Sequence, residues 1–215
     1  SVTVMNDGSD GNAAVIRAVG PMDTIKFLGD LIPSLLGGAF HGWMAAIDWV
    51  MEPGSDAIDV YITVANEEEK PRRASNVLLA FFQFNRMPIY SEENGFLPGP
   101  TKSASTLFVD DQATSYAWLP PEGVELTRFI EVAGASAFAL GAADVAACDF
   151  TRIPLGSMLV GGPGLPGLQA TLARHRGGAR RTLVGTVSNA EANAGADVSD
   201  VRVHVLREDG RHYAR

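Results

Sequence analysis

The amino-acid sequence predicts a mainly β fold, an antiparallel β-sandwich or β-barrel built by the whole chain, 1–215, as one domain. Three observations point there. Ile58, Val60, Ile62 and Val64 alternate along one segment, the period of a strand with one apolar face. Asn6-Asp7-Gly8-Ser9-Asp10-Gly11 separates the apolar positions Val2 and Val4 from the apolar stretch 13–19, which is the pattern of a hairpin. Farther on, the stretches 105–109, 115–119 and 124–132 are divided by Asp110-Asp111 and Pro120-Pro121-Glu122-Gly123, and a turn roughly every ten residues marks all-β architecture.

The elements follow in order. After the hairpin, Gly20-Pro21 stops the second strand. Segment 23–51 is predicted to be helical, with Ile25, Leu28, Leu31 and Ile32 at helical spacing. Phe40, Trp43, Met44, Ile47 and Val50 repeat that spacing after Pro33 and Gly37-Gly38, and Asp23 or Thr24 would cap the first turn. Strand 58–64 comes next, its other face carrying Asp59, Tyr61 and Thr63. The run Glu67-Glu68-Glu69-Lys70-Pro71-Arg72-Arg73 reads as a solvated loop. Asn76 to Phe84 reads as a strand apolar on both faces and hence covered on both. The alanine-rich stretch 133–150 fits two small-residue strands or a short helix, with strands favoured, and 153–167, with its many glycines and prolines, reads as an irregular connection. Strands are expected at 181–188 and 201–206, and a return strand starts at His212 after Glu208-Asp209-Gly210.

Composition narrows the function classes. Hydrophobic residues make up 46% and charged residues 20% of the 215, a globular balance able to fill a core. A net charge of -8 opposes nucleic-acid backbones everywhere except at Arg174, Arg176, Arg180 and Arg181, a candidate anion contact. The single cysteine, Cys148, rules out an internal disulfide, and its apolar neighbours predict a buried thiol. No stretch reads as a transmembrane helix or a signal peptide, and the opening on Ser1 without methionine suggests a piece of a longer protein.

No catalytic, metal or cofactor pattern is found. Gly161-Gly162-Pro163-Gly164 lacks the Gly-Lys-Ser/Thr ending of a phosphate loop and shows no following helix signal. No Gly-x-Ser-x-Gly elbow occurs, and no two of His41, His175, His204 and His212 stand at the i, i+4 spacing that puts two metal ligands on one helix face. Asp48 and Asp110-Asp111 read as helix-face and turn residues.

The order "SVTVMNDGSDGNAAVIRAV", "DTIKFLGDL", "FHGWMAAIDWV", "SDAIDVYITVANEEEKP" resembles the region of an astrovirus-type capsid protein that enters its projecting domain, and "TSYAWLPPEGVELTRF" is similar to coat proteins of other small non-enveloped positive-strand RNA viruses. The resemblance covers 1–71 and implies a structural projection on the virion surface that self-associates into a homo-oligomer and contacts a host receptor or glycan. It implies no catalytic residue. The loops expected to carry such contacts are 67–73, 90–102 and 161–167, with Tyr90, Phe96, Lys102, Arg72 and Arg73 as candidate contact residues. The alternative is a carbohydrate- or ligand-binding β module of a microbial surface or secreted protein. A hydrolase whose site is assembled from distant residues comes third.

Overall fold

The computed structural model describes residues 1–21, 43–75, 79–83, 88–91, 95–96, 102–103, 106–109, 114–124, 126–132, 135–139, 142–178, 184–186, 203, 205–206, 208, 210 and 212–214. In chain order the strands are β1 (Val2–Asn6), β2 (Ala14–Pro21), β3 (Trp43–Met51), β4 (Ala57–Asn66), β5 (Arg72–Ser75), β6 (Leu79–Gln83), β7 (Ile89–Ser91), β8 (Gly95–Phe96), β9 (Lys102–Ser103), β10 (Thr106–Phe108), β11 (Ser115–Leu119), β12 (Leu126–Val132), β13 (Ala135–Ala139), β14 (Ala142–Val145) and β15 (Asp149–Gly161). Helix α1 (Gly164–His175) follows, then β16 (Val205–Leu206) and β17 (His212–Ala214). The fold is mainly β.

The principal sheet is antiparallel and runs β1-β2-β3-β4-β15-β11-β10-β7-β8. Smaller sheets pair β6-β13-β12-β9, β14-β5 and β16-β17. The predicted hairpin is present as β1 and β2, its turn closed by Asx bonds from the Gly8 and Ser9 amides to the Asn6 and Asp7 side chains.

Three sequence expectations are corrected. Within the segment 23–51 predicted as helical, Trp43–Met51 is a strand; the first of the two expected helices lies outside the described residues. Of the residues at helical spacing, Trp43 and Ile47 also fit a strand period: with Ala45 and Trp49 they sit opposite Asn66, Ile62, Val64 and Val60 of β4 and share one face with them. β3 is paired along its length by β2 on one side and β4 on the other, so pairing, not local period, decides its state.

The stretch 153–167 is not an irregular connection. It is the greater part of a 13-residue strand and the start of a 12-residue helix. Its prolines fall where neither element needs an amide. Pro154 borders the β-bulge between Pro154 and Gly156, and Pro166 lies in the first helical turn, whose N–H groups have no partner within the helix. Its glycines let backbones touch. A Cβ on Gly161 would come within 2.7 Å of Leu168 Cα, and one on Gly167 within 2.7 Å of the Gly162 carbonyl carbon.

That close approach lays α1 on one face of the sheet. Ala57, Leu159 and Ala117 are cross-strand neighbours there, and Leu165, Leu168 and Leu172 pack onto them with Tyr90 and Val109. The opposite face of β4 buries Val60, Ile62 and Val64. Cys148 is exposed, not buried: it sits in the turn before β15 at φ 50°, its amide bonded to the Glu68 carbonyl at 3.0 Å.

Candidate functional site

On the face that carries α1, the sheet is left open beyond the helix's C-terminal end, and a cleft of about 880 Å³ forms there. Asp59, Val60 and Tyr61 of β4 and Pro154, Gly156 and Ser157 of β15 make its floor. Leu119 and the turn Pro120-Pro121-Glu122 form one wall, and His175 and Arg176 close the end under α1.

Local chemistry explains the shape. The bulge in β15 interrupts its register against β4 between Pro154 and Gly156, which widens the surface at that point. Gly156 is required there: its φ is +126°, and a side chain would run into the Leu119 carbonyl oxygen. Register places Ser157 directly opposite Asp59, and the Ser157 hydroxyl donates to Asp59 Oδ1 at 2.5 Å. Tyr61 stands opposite Pro154 on one side and Asp48 on the other.

Behind Tyr61 lies a charged array centred on Asp48, the residue expected from sequence to lie on a helix face. Asp48 is 2% exposed, and Arg17 donates to it as a fork, Nε to Oδ1 at 2.6 Å and Nη2 to Oδ2 at 2.8 Å. Arg152 Nη2 approaches the same carboxylate at 3.6 Å, while its guanidinium carbon lies 3.9 Å from the Tyr61 ring centroid. The Arg17 hydrogen bonds hold the Asp48 carboxyl below the usual carboxylate range, against burial, which pushes the other way.

The rim at the end of α1 is also paired. Arg174 reaches Asp56 at 3.5 Å and Thr171 Oγ1 at 3.2 Å, and His175 Nδ1 lies 4.0 Å from the other Asp56 oxygen. Both side chains occupy the last helical turn, where the helix dipole favours positive charge. Ser157 and His175 thus engage two different carboxylates, whereas a Ser-His-Asp triad places one imidazole between hydroxyl and carboxylate.

Of the candidate contact residues named from sequence, only Arg176 lines this cleft, with Arg174 beside it; Arg180 and Arg181 lie outside the described residues. The structure turns Tyr90 and Phe96 inward. They are cross-strand partners in β7 and β8, stacked edge to face at 5.1 Å, and both belong to the core under α1. Arg72 lies over the Trp43 ring at 4.5 Å and binds Glu68 at 2.8 Å. Arg73 pairs with Asp144 at the surface. Lys102 belongs to β9, and its side chain is outside the described residues. Segment 161–167 runs from the end of β15, where Gly161 pairs with Ser115 of β11, into the first turn of α1, with Leu165 buried. Sequence reading missed Asp59, Tyr61, Glu122 and Ser157. The available signal was the polar alternate face of β4 within an otherwise β-branched strand.

No family model matches the chain, and no curated protein matches it. Solved structures similar to it include an α-galactosidase from Lactobacillus brevis, at 10% identity and a TM-score of 0.48 over 77% of this chain and 25% of that one. A GH36 α-galactosidase from Geobacillus stearothermophilus in complex with 1-deoxygalactonojirimycin matches at 10% and 0.49 over 81% of this chain and 27% of that one. Another GH36 α-galactosidase from the same organism matches at 10% and 0.49 over 80% and 26%. The chain spans about a quarter of the length of these structures. Scores below one half at this identity assign neither an activity nor a ligand. No helix among the described residues is long and apolar enough to cross a membrane.

Proposed function

We propose that this domain is a binding module, not a catalyst, and that its ligand is a carbohydrate held in the cleft at the β15 bulge. The Ser157–Asp59 pair carries the reading. One carboxylate oxygen is fixed by the serine hydroxyl, and the second retains lone pairs that can accept from vicinal hydroxyls. Around it, Tyr61, Pro120, Pro121 and Pro154 offer ring surfaces suited to the C–H faces of a sugar. Glu122, His175 and Arg176 add polar groups at the edge, and the cleft's size is that of a small-molecule site.

Binding is favoured over a serine-nucleophile reaction because the Ser157 proton is directed to a carboxylate that accepts it as a hydrogen bond, with no imidazole between them. A glycan array followed by calorimetric titration tests the reading. Retention of hydroxyl-rich ligands, weakened about tenfold in Asp59→Asn, is the expected result. A domain that retains no glycan and instead assembles into closed oligomers in light scattering would overturn it and favour the virion-projection alternative.

A further inference from the structure

Asp59 and Glu122 line the cleft, and two carboxylates would by themselves invite a cationic ligand such as an amino sugar. Tyr61 lies on the floor between them and the charged array. An aromatic ring attracts cations through the negative potential of its faces, while its edge is positive. In this protein the attraction is already in use: the Arg152 guanidinium lies over the Tyr61 ring, 3.9 Å from its centroid, and Arg152 is not among the residues lining the cleft. Arg152 Nη2 also lies 3.6 Å from the Asp48 carboxylate that accepts the Arg17 fork, so two arginines share one carboxylate and the array keeps a net positive charge.

We infer that Arg152 is a specificity-determining residue that makes the cleft select neutral carbohydrates over cationic ones. The inference rests on the carbohydrate-binding role proposed for the cleft. A ligand ammonium brought to the cleft side of Tyr61 meets a ring that already carries a guanidinium on one face, with the excess charge of the Arg17–Asp48–Arg152 array close behind it. A neutral sugar meets the same ring as an apolar surface and suffers no such penalty.

The test is calorimetric titration of the intact chain with neutral hexose trisaccharides and with their 2-amino-2-deoxy counterparts, on the wild type, Arg152→Met and Arg152→Lys. The wild type should favour the neutral series about tenfold, the scale of one cation–ring interaction. Arg152→Met should lose most of that preference, chiefly by gaining affinity for the amino sugars, and Arg152→Lys, which keeps the charge, should retain it. Equal wild-type affinity for both series overturns the inference whether or not the variants fold, and so does a full preference kept by Arg152→Met. A wild type that binds neither series removes the binding role itself, which separates that failure from a failure of selectivity alone.

Discussion

Neutralising Asp48 removes the one negative charge around which Arg17 and Arg152 are arranged. Asp48 is 2% exposed and accepts two short charge-assisted bonds from Arg17, whereas the Arg17 and Arg152 side chains are 39% and 49% exposed. Each bond to a charged group is worth about 1.5–3 kcal/mol, and solvent screening on the arginine side reduces the pair's value to about 2–3 kcal/mol in total. The Asp48 carboxyl titrates below its unfolded value, so this stabilisation is fully present above about pH 4 and is lost as the pH falls through the folded-state value. Urea unfolding of the wild type and Asp48→Asn between pH 7 and pH 2.5 measures it. Asp48→Asn should be less stable by about 2 kcal/mol at pH 7, with the gap narrowing steadily below about pH 4. Other carboxylates are common to both proteins and cancel in the difference. A gap that stays constant down to the lowest pH refutes the assignment of the charge, and no gap at neutral pH refutes the energetic argument.

Two further predictions concern the frame of the cleft. Gly156→Ala forces a side chain onto a residue at φ +126° and against the Leu119 carbonyl, and should cost about 2–4 kcal/mol in thermal or urea unfolding; a loss under 1 kcal/mol would mean that the bulge relaxes freely. Leu168→Ala empties a fully buried position between α1 and the sheet and should cost about 2–5 kcal/mol, with amide exchange of α1 accelerated more than that of β2 and β3.

The sequence made the β class legible because several strands have only one buried face, and alternation survives there. β4 shows it directly: Val60, Ile62 and Val64 are buried while Asp59, Tyr61 and Thr63 lie opposite. β11 coincides with its predicted bounds, since turn residues stand at both ends. β3 lacks such a face. Its residues satisfy a helical and a strand period together, and its only charged residue, Asp48, is buried because Arg17 on β2, 31 positions away in sequence, neutralises it. A pairing over that distance leaves no local mark.

The same reasoning accounts for the site. Asp59 and Ser157 lie 98 positions apart, and nothing near either residue announces the other. What joins them is the antiparallel register of β4 and β15, and that register is itself displaced at a bulge that sequence showed only as Ile153-Pro154-Leu155-Gly156. Glycine and proline have two meanings, and the local sequence does not separate them. They mark an irregular loop where the chain is alone. They mark the tightest packing where another backbone comes within reach, as at Gly156 against Leu119 and Gly167 against Gly162. The features that made 153–167 look like a connection are therefore those that bend β15 and seat α1 against it. The cleft opens where the two meet.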